Sequence, residues 1–174
     1  MSAIDYDLKK IKGIAFDVDG VLSTSTIPLS ENGEPLRLVS IKDGYAIQLA
    51  VKRGLRLAII TGGKTIGVRR RFEGLGIKDV FMGCARKLPV LEQWMAEAGL
   101  KPEEVIFVGD DIPDIPAMQH VGLPCCPADA APEVKAVSRY ISRHEGGYGV
   151  GRDILEQVMK ANGVWMSDNI AFGW

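Results

Sequence analysis

The chain has 174 residues, 47% of them apolar and 25% charged, the size of one ordinary globular domain with a sizeable core. Lys and Arg total 21 against 22 acidic residues, and neither sign is gathered into a long block, so composition offers no footprint for nucleic acid or an anionic membrane. Residues 1–174 therefore read as a single domain whose partner is a small molecule or another protein.

Met1 to Lys12 carries no apolar leader, and no later apolar run approaches the roughly 20 residues that span a bilayer, so a cytoplasmic protein is expected. Cys84, Cys125 and Cys126 are odd in number and form neither a CxxC pair nor a zinc spacing, which predicts free, buried thiols.

A short apolar run from Lys12 to Phe16 predicts a buried first strand that stops at Asp17. Residues 26–40 alternate loosely about Glu31-Asn32-Gly33-Glu34, and Asn-Gly between two such arms predicts a projecting β-hairpin. Asp43 is the expected cap of a helix that Gly54 ends, and Leu55 to Ile60 reads as a continuous apolar strand. The alternation continues with a helix near Lys64 to Leu75, a strand at Val80 to Met82, a helix from about Leu88 to Gly99 and a strand at Val105 to Val108. A short helix around Ile115 to His120, a strand at Leu123 to Cys126, a brief helix after Pro132, a strand near Tyr140 to Ser142 and a last helix over about Val150 to Ala161 complete it. Strands alternating with helices of about a dozen residues predict an α/β fold, a doubly wound Rossmann-like parallel sheet.

Ligands in such a sheet sit beyond the carboxyl ends of the strands, which singles out Asp17, Thr61 and Asp110. Asp17 and Asp19 are spaced by two at a strand end and can aim two carboxylates the same way, with Gly20 freeing the turn. Two adjacent acids invite a hard divalent ion such as Mg2+, which takes oxygen ligands and neutralises phosphate, and Asp110 is the candidate third ligand. Asp110, Asp111 and Asp114 share the turn Gly109-Asp-Asp-Ile-Pro-Asp; helix capping accounts for one of these acids but not for all of them together with the pair after the first strand. Thr61-Gly62-Gly63 can hold phosphate oxygens on a hydroxyl and backbone N–H groups, and Lys87 can pair with a nucleophilic carboxylate and a transferring phosphoryl group. A nucleotide-binding P-loop ending at Gly63-Lys64-Thr65 is excluded, because its obligatory first glycine falls on Ala58 inside a strand.

These residues appear as Phe16-Asp17-Val18-Asp19-Gly20-Val21, Ile59-Ile60-Thr61-Gly62, Lys87 and Gly109-Asp110-Asp111-Ile112-Pro113-Asp114. In that order they resemble the four motifs of the haloacid dehalogenase superfamily. The resemblance implies that Asp17 attacks phosphorus to form an aspartyl-phosphate, that Asp19 protonates the leaving oxygen and then deprotonates water, and that Thr61 and Lys87 bind the phosphoryl group. It also implies Mg2+ on Asp17, the Asp19 carbonyl and Asp110, with Asp111 and Asp114 in support. The acid at Asp19 marks the phosphatase members of the superfamily.

The segments between the motifs are used up by hairpin, helix and strand, leaving no room for a cap domain. The hairpin, Ser40-Ile41-Lys42-Asp43-Gly44-Tyr45, Arg69-Arg70-Arg71 and Gly146-Gly147-Tyr148-Gly149-Val150-Gly151-Arg152 resemble the capless 3-deoxy-D-manno-octulosonate 8-phosphate phosphatase branch. That likeness implies a role in lipopolysaccharide biosynthesis, a homotetramer built around the hairpins, and a sugar phosphate contacted by Ser40, Ile41, Lys42, Asp43, Gly44, Gly62, Arg71 and Lys87. Gln48 and Gly63 stand where branch members tend to carry arginines, so a nine-carbon keto-deoxy sugar acid 9-phosphate is an alternative substrate. A non-catalytic oligomerisation module of the kind fused to sugar-nucleotide synthases is an alternative of another class. The tail, residues 163–174, either packs on its own domain or reaches a neighbouring site.

Overall fold

The computed structural model describes residues 3–174. Six strands, β1 (Gly13–Phe16), β2 (Arg56–Ile60), β3 (Asp79–Phe81), β4 (Val105–Val108), β5 (Leu123–Cys126) and β6 (Tyr140–Ile141), form one sheet in the order β3-β2-β1-β4-β5-β6, every pairing parallel. Six helices connect them: α1 (Ile41–Lys52), α2 (Ile66–Gly74), α3 (Lys87–Ala98), α4 (Ile115–His120), α5 (Pro132–Val137) and α6 (Val150–Ala161). This is the doubly wound arrangement that the alternating pattern predicts, with no cap domain inserted among the described residues.

The central strands are apolar on both faces because both faces are covered. Ile14, Phe16, Leu57, Ile59, Ile106 and Val108 point to the core shared with α1, α2 and α6. Ala15, Ala58, Ile60, Val105 and Phe107 point the other way, into a core with Leu91 and Trp94 of α3, Met118 of α4 and Val134 of α5. At roughly 1.5–3 kcal/mol for each large side chain taken from water, these two layers stabilise the sheet edge on which the polar residues stand. Cys125 and Cys126 lie in the layers as free thiols, and Cys84 is free and half-buried.

Three local expectations are corrected. Helix α1 is capped by Ser40, whose Oγ accepts the Asp43 N–H at 3.3 Å, rather than by Asp43, which lies one turn inside and is buried. Helix α2 begins at Ile66, not near Lys64, because Thr65 is still extended. The hairpin over 26–40 is an antiparallel excursion closed by two isolated bridges, Ser23 with Val39 and Leu29 with Pro35, and not by ladders. Pro28 and Pro35 lack the N–H groups that a ladder needs. Its tip is a type I turn with a bulge: Gly33 N–H bonds Ser30 C=O, Ser30 N–H bonds Glu34 C=O, both at 2.9 Å, and only Gly33 takes positive φ, at 77°.

The tail docks on α1 of its own chain. The Arg53 guanidinium grips Asp168 at 2.8 and 2.9 Å, the Tyr45 hydroxyl donates to Ala171 C=O, and Trp165 and Trp174 meet the Tyr45 ring edge-on at 5.9 and 6.1 Å. Gln48 faces the same tail, its Nε2 lying 3.5 Å from Gly173 C=O.

Candidate active site

The strand order reverses at β1, between its neighbours β2 and β4, the place where an open parallel sheet forms its crevice. Phe16 pairs with Ile59 and with Val108, so Thr61 and Asp110 each stand one residue beyond the rung of Asp17. Asp17 itself is 6% exposed and anchored by its N–H on Val108 C=O at 3.0 Å. Gly20 turns the chain at φ 82°, and its missing side chain is required: a Cβ there would lie 1.9 Å from Asp110 Oδ2.

Lys87 is the first residue of α3, and its ammonium, 7% exposed, lies 2.9 Å from Asp17 Oδ2 and also bonds Asp114 Oδ1. The other oxygen of Asp114 accepts N–H groups of Asp110 at 2.9 Å and Asp111 at 3.3 Å. Asp114 is therefore committed to holding the lysine and shaping the Asp110 loop. Asp111 caps the turn Ile112–Asp114 through the Ile112 N–H, so the capping role applies to this one acid.

Ligand oxygens of Asp17, Asp110 and Asp114 lie within 4.8 Å of one another. Burial, reinforced by the charge of Asp114 and opposed by Lys87, pushes Asp17 up to about 6. Burial together with the charges of Asp17 and Asp114 pushes Asp110 up to about 8. Burial works against the charge on Lys87, but Asp17 and Asp114 outweigh it and the ammonium is held above its ordinary range. One lysine among three carboxylates leaves a negative excess that a second cation would relieve. The donors are all oxygen, which suits a hard divalent ion, and Asp17 and Asp110 are the two acids not consumed by Asp114's bonding pattern.

Thr61 is buried beyond β2, its Oγ1 accepting the Gly63 N–H at 3.1 Å, with Gly62 exposed beside it. Half-buried Ser40 precedes the exposed Ile41 and Lys42 at the start of α1, and Arg71 approaches the same turn at Gly44, its Nη2 lying 2.4 Å from where a Cβ there would stand. Asp43 is turned inward, Oδ1 accepting the Arg152 N–H at 2.6 Å. Asp19 stands apart from the three clustered acids, so among metal ligands only its backbone carbonyl is a candidate. Its carboxylate is gripped by Arg37, Nε on Oδ1 and Nη2 on Oδ2 at 2.8 Å, with Ser23 Oγ donating to Oδ1 at 3.2 Å. Arg37 is the site residue that sequence reasoning missed. Nothing in the spacing marks it, because only the path of the excursion brings it back over Asp19.

Residues 39–122 match the model of the haloacid dehalogenase-like hydrolases, a stretch that takes in Thr61, Lys87 and Asp110. The KdsC 3-deoxy-D-manno-octulosonate 8-phosphate phosphatase of Escherichia coli K12 is 37% identical over 155 residues, 89% of this chain and 82% of that protein. The corresponding phosphatase of Moraxella catarrhalis, solved with a magnesium ion, a phosphate ion and a KDO molecule, superposes with a TM-score of 0.86 at 33% identity, covering 91% of each chain. The cobalt-bound enzyme YrbI of Haemophilus influenzae gives 0.89 at 30% identity, covering 95% of this chain and 98% of that one. The family match and the identity to these phosphatases over most of both chains make the protein a hydrolase of phosphoric monoesters. The chain belongs to the haloacid dehalogenase-like hydrolases, in the capless branch of the 3-deoxy-D-manno-octulosonate 8-phosphate phosphatases.

Proposed function

We propose that the chain hydrolyses 3-deoxy-D-manno-octulosonate 8-phosphate through an aspartyl-phosphate on Asp17. The observation that carries this reading is the Lys87 ammonium 2.9 Å from Asp17 Oδ2 at the strand-order reversal, supported by the substrate named for relatives of such high coverage. Lys87 holds the nucleophile in place and faces the negative charge of the incoming phosphoryl group. Asp17 attacks phosphorus as the bond to the sugar oxygen breaks, and Asp19 gives that oxygen its proton. Asp19 then takes a proton from the water that attacks phosphorus and frees Asp17. The Thr61 hydroxyl and the Gly62 N–H bind phosphoryl oxygens. Asp17, Asp110 and the Asp19 carbonyl would hold Mg2+, which when bound neutralises phosphate oxygens and keeps both carboxylates ionised.

Arg71, beside Gly44, is the candidate bidentate partner for the sugar carboxylate. The exposed Leu29, Leu36, Leu38 and Val39 on the excursion favour a homotetramer assembled through it. No helix among the described residues is long and apolar enough to cross a membrane, and we read the enzyme as cytoplasmic. Convergence of Asp17, Lys87 and Asp110 speaks against a non-catalytic module.

The test is magnesium-dependent phosphate release from eight- and nine-carbon keto-deoxy sugar acid phosphates beside simple sugar phosphates, with Asp17→Asn as the control. Preference for the eight-carbon substrate by at least ten-fold is expected. Equal turnover of simple sugar phosphates would remove the substrate assignment, and preference for the nine-carbon acid would reassign it.

A further inference from the structure

Arg37 is the best-placed side chain that the reaction above does not use. It stands on the excursion between β1 and α1, yet its side chain is only 8% exposed, against 36% for that of Asp19. Nε and Nη2 engage both oxygens of Asp19, and Nη1 donates to Thr65 Oγ1 at 2.9 Å, so the guanidinium is fixed at three corners. Such a fork sets the plane of a carboxylate as well as its position. Ser23 supplies one further bond to the same carboxylate, and the Ser23–Val39 bridge ties the two ends of the excursion together.

Space for this arrangement comes from Gly63. A Cβ at Gly63 would lie 2.7 Å from Arg37 Nη2 and 3.3 Å from its Cζ, while its other near contact, Thr61 Oγ1, would be at 3.4 Å. Gly63 does not take positive φ. Its glycine character therefore answers to the guanidinium and not to the backbone.

We propose that Arg37 is the positioning residue for Asp19, and that the missing side chain at Gly63 is what admits it. This rests on the role of Asp19 given above. When Asp19 carries its proton, one oxygen delivers it to the leaving group while the other stays on Arg37. The guanidinium therefore holds the acid at the sugar oxygen during bond cleavage. It then holds the carboxylate for the attacking water. Arg37 touches neither phosphorus nor the leaving oxygen, and it acts through Asp19.

Leaving-group dependence separates this role from a structural one. An alkyl phosphate needs a proton on its leaving oxygen, whereas a nitrophenyl phosphate has a stable leaving group and needs little help. Turnover of a sugar phosphate and of nitrophenyl phosphate is measured for wild type, Arg37→Met, Arg37→Lys, Gly63→Ala and the double variant Arg37→Met/Gly63→Ala, with thermal melts to establish folding. The expected result for Arg37→Met is a loss at least ten-fold greater on the alkyl than on the aryl substrate, with Arg37→Lys recovering most of that ratio. Gly63→Ala, by displacing the guanidinium, gives the same selective loss, and the double variant loses no more than Arg37→Met alone. Equal losses on both substrates, an unchanged ratio, or additive losses in the double variant overturn the proposal. A wild-type enzyme that releases phosphate from neither substrate overturns the proposed function itself, which separates the two failures.

Discussion

Asp43 and Arg152 are joined across two helices: the Asp43 Oδ1 in the first turn of α1 accepts the Arg152 N–H in the first turn of α6 at 2.6 Å. Helix α6 starts after Gly149, which has no side chain to cap it, so a carboxylate from another element satisfies one of its open donors. The other oxygen, Oδ2, is buried with no hydrogen-bond partner among the described residues. Burial pushes Asp43 up to about 6, with the Arg152 N–H opposing it.

That relationship predicts a pH signature. An aspartate whose folded value is raised binds its proton more tightly in the native state than in the unfolded chain, where it titrates near 3.9. Its contribution to stability is fully present below about pH 4, is lost as pH rises towards 6, and is level above that. Asp43→Asn keeps an acceptor for the Arg152 N–H and removes the titration. Relative to wild type it gains on the order of 2 kcal/mol between pH 4 and pH 7. Denaturant unfolding of both proteins at the two pH values measures this; parallel changes would show that Asp43 does not titrate in that window.

Magnesium protection is expected to rise with pH. Asp17, raised to about 6, and Asp110, raised to about 8, both hold their protons more tightly in the folded metal-free protein than in the unfolded chain, so its stability falls from about pH 4 upward, until about pH 6 through Asp17 and about pH 8 through Asp110. A cation between them reverses the effect. The thermal shift produced by millimolar MgCl2 is larger at pH 8 than at pH 5.5, and Asp110→Asn reduces it at pH 8. A shift independent of pH would place the ion elsewhere.

Lys87→Met takes the buried ammonium away from Asp17 and Asp114. Turnover falls by a factor on the order of 100 or more. Breaking a buried ion pair from one side costs about 3 kcal/mol in the metal-free protein at pH 8, and less at pH 5, where Asp17, raised to about 6, takes up its proton. Unfolding curves at both pH values check this, and an equal cost at the two would exclude the charge explanation.

Leu38→Glu places a charge on the exposed apolar excursion. If the homotetramer assembles there, the variant elutes as a smaller species on size-exclusion chromatography with light scattering, while its circular dichroism spectrum stays that of wild type, because Leu38 belongs to neither core layer. A variant that keeps the wild-type mass would remove the excursion from the interface.

Strand positions were legible because β1, β4 and β5 are apolar throughout and β2 is apolar from Leu57 onward, and a parallel sheet covered on both faces demands that pattern. The excursion was legible as a turn about Gly33 but not as bridges without ladders, since its pairing depends on which backbone N–H groups Pro28 and Pro35 remove. Asp43 looked like a local cap because sequence displays near neighbours, and its real partner, Arg152, lies in another helix.

Sequence by itself determined which polar residues stand at the sheet edge. Asp17, Thr61 and Asp110 stand just beyond the apolar strands β1, β2 and β4, Lys87 opens the helix after β3, and a sheet paired parallel throughout carries its strand ends to one side whatever the details of packing. Tertiary structure alone decided how the remaining acids divide. Asp114 is spent on Lys87 and the Asp110 loop, Asp111 on a cap, and Asp19 on Arg37, because each assignment depends on a partner brought close by the fold. A carboxylate's role is set by what faces it at about 3 Å, and one-dimensional spacing does not contain that distance.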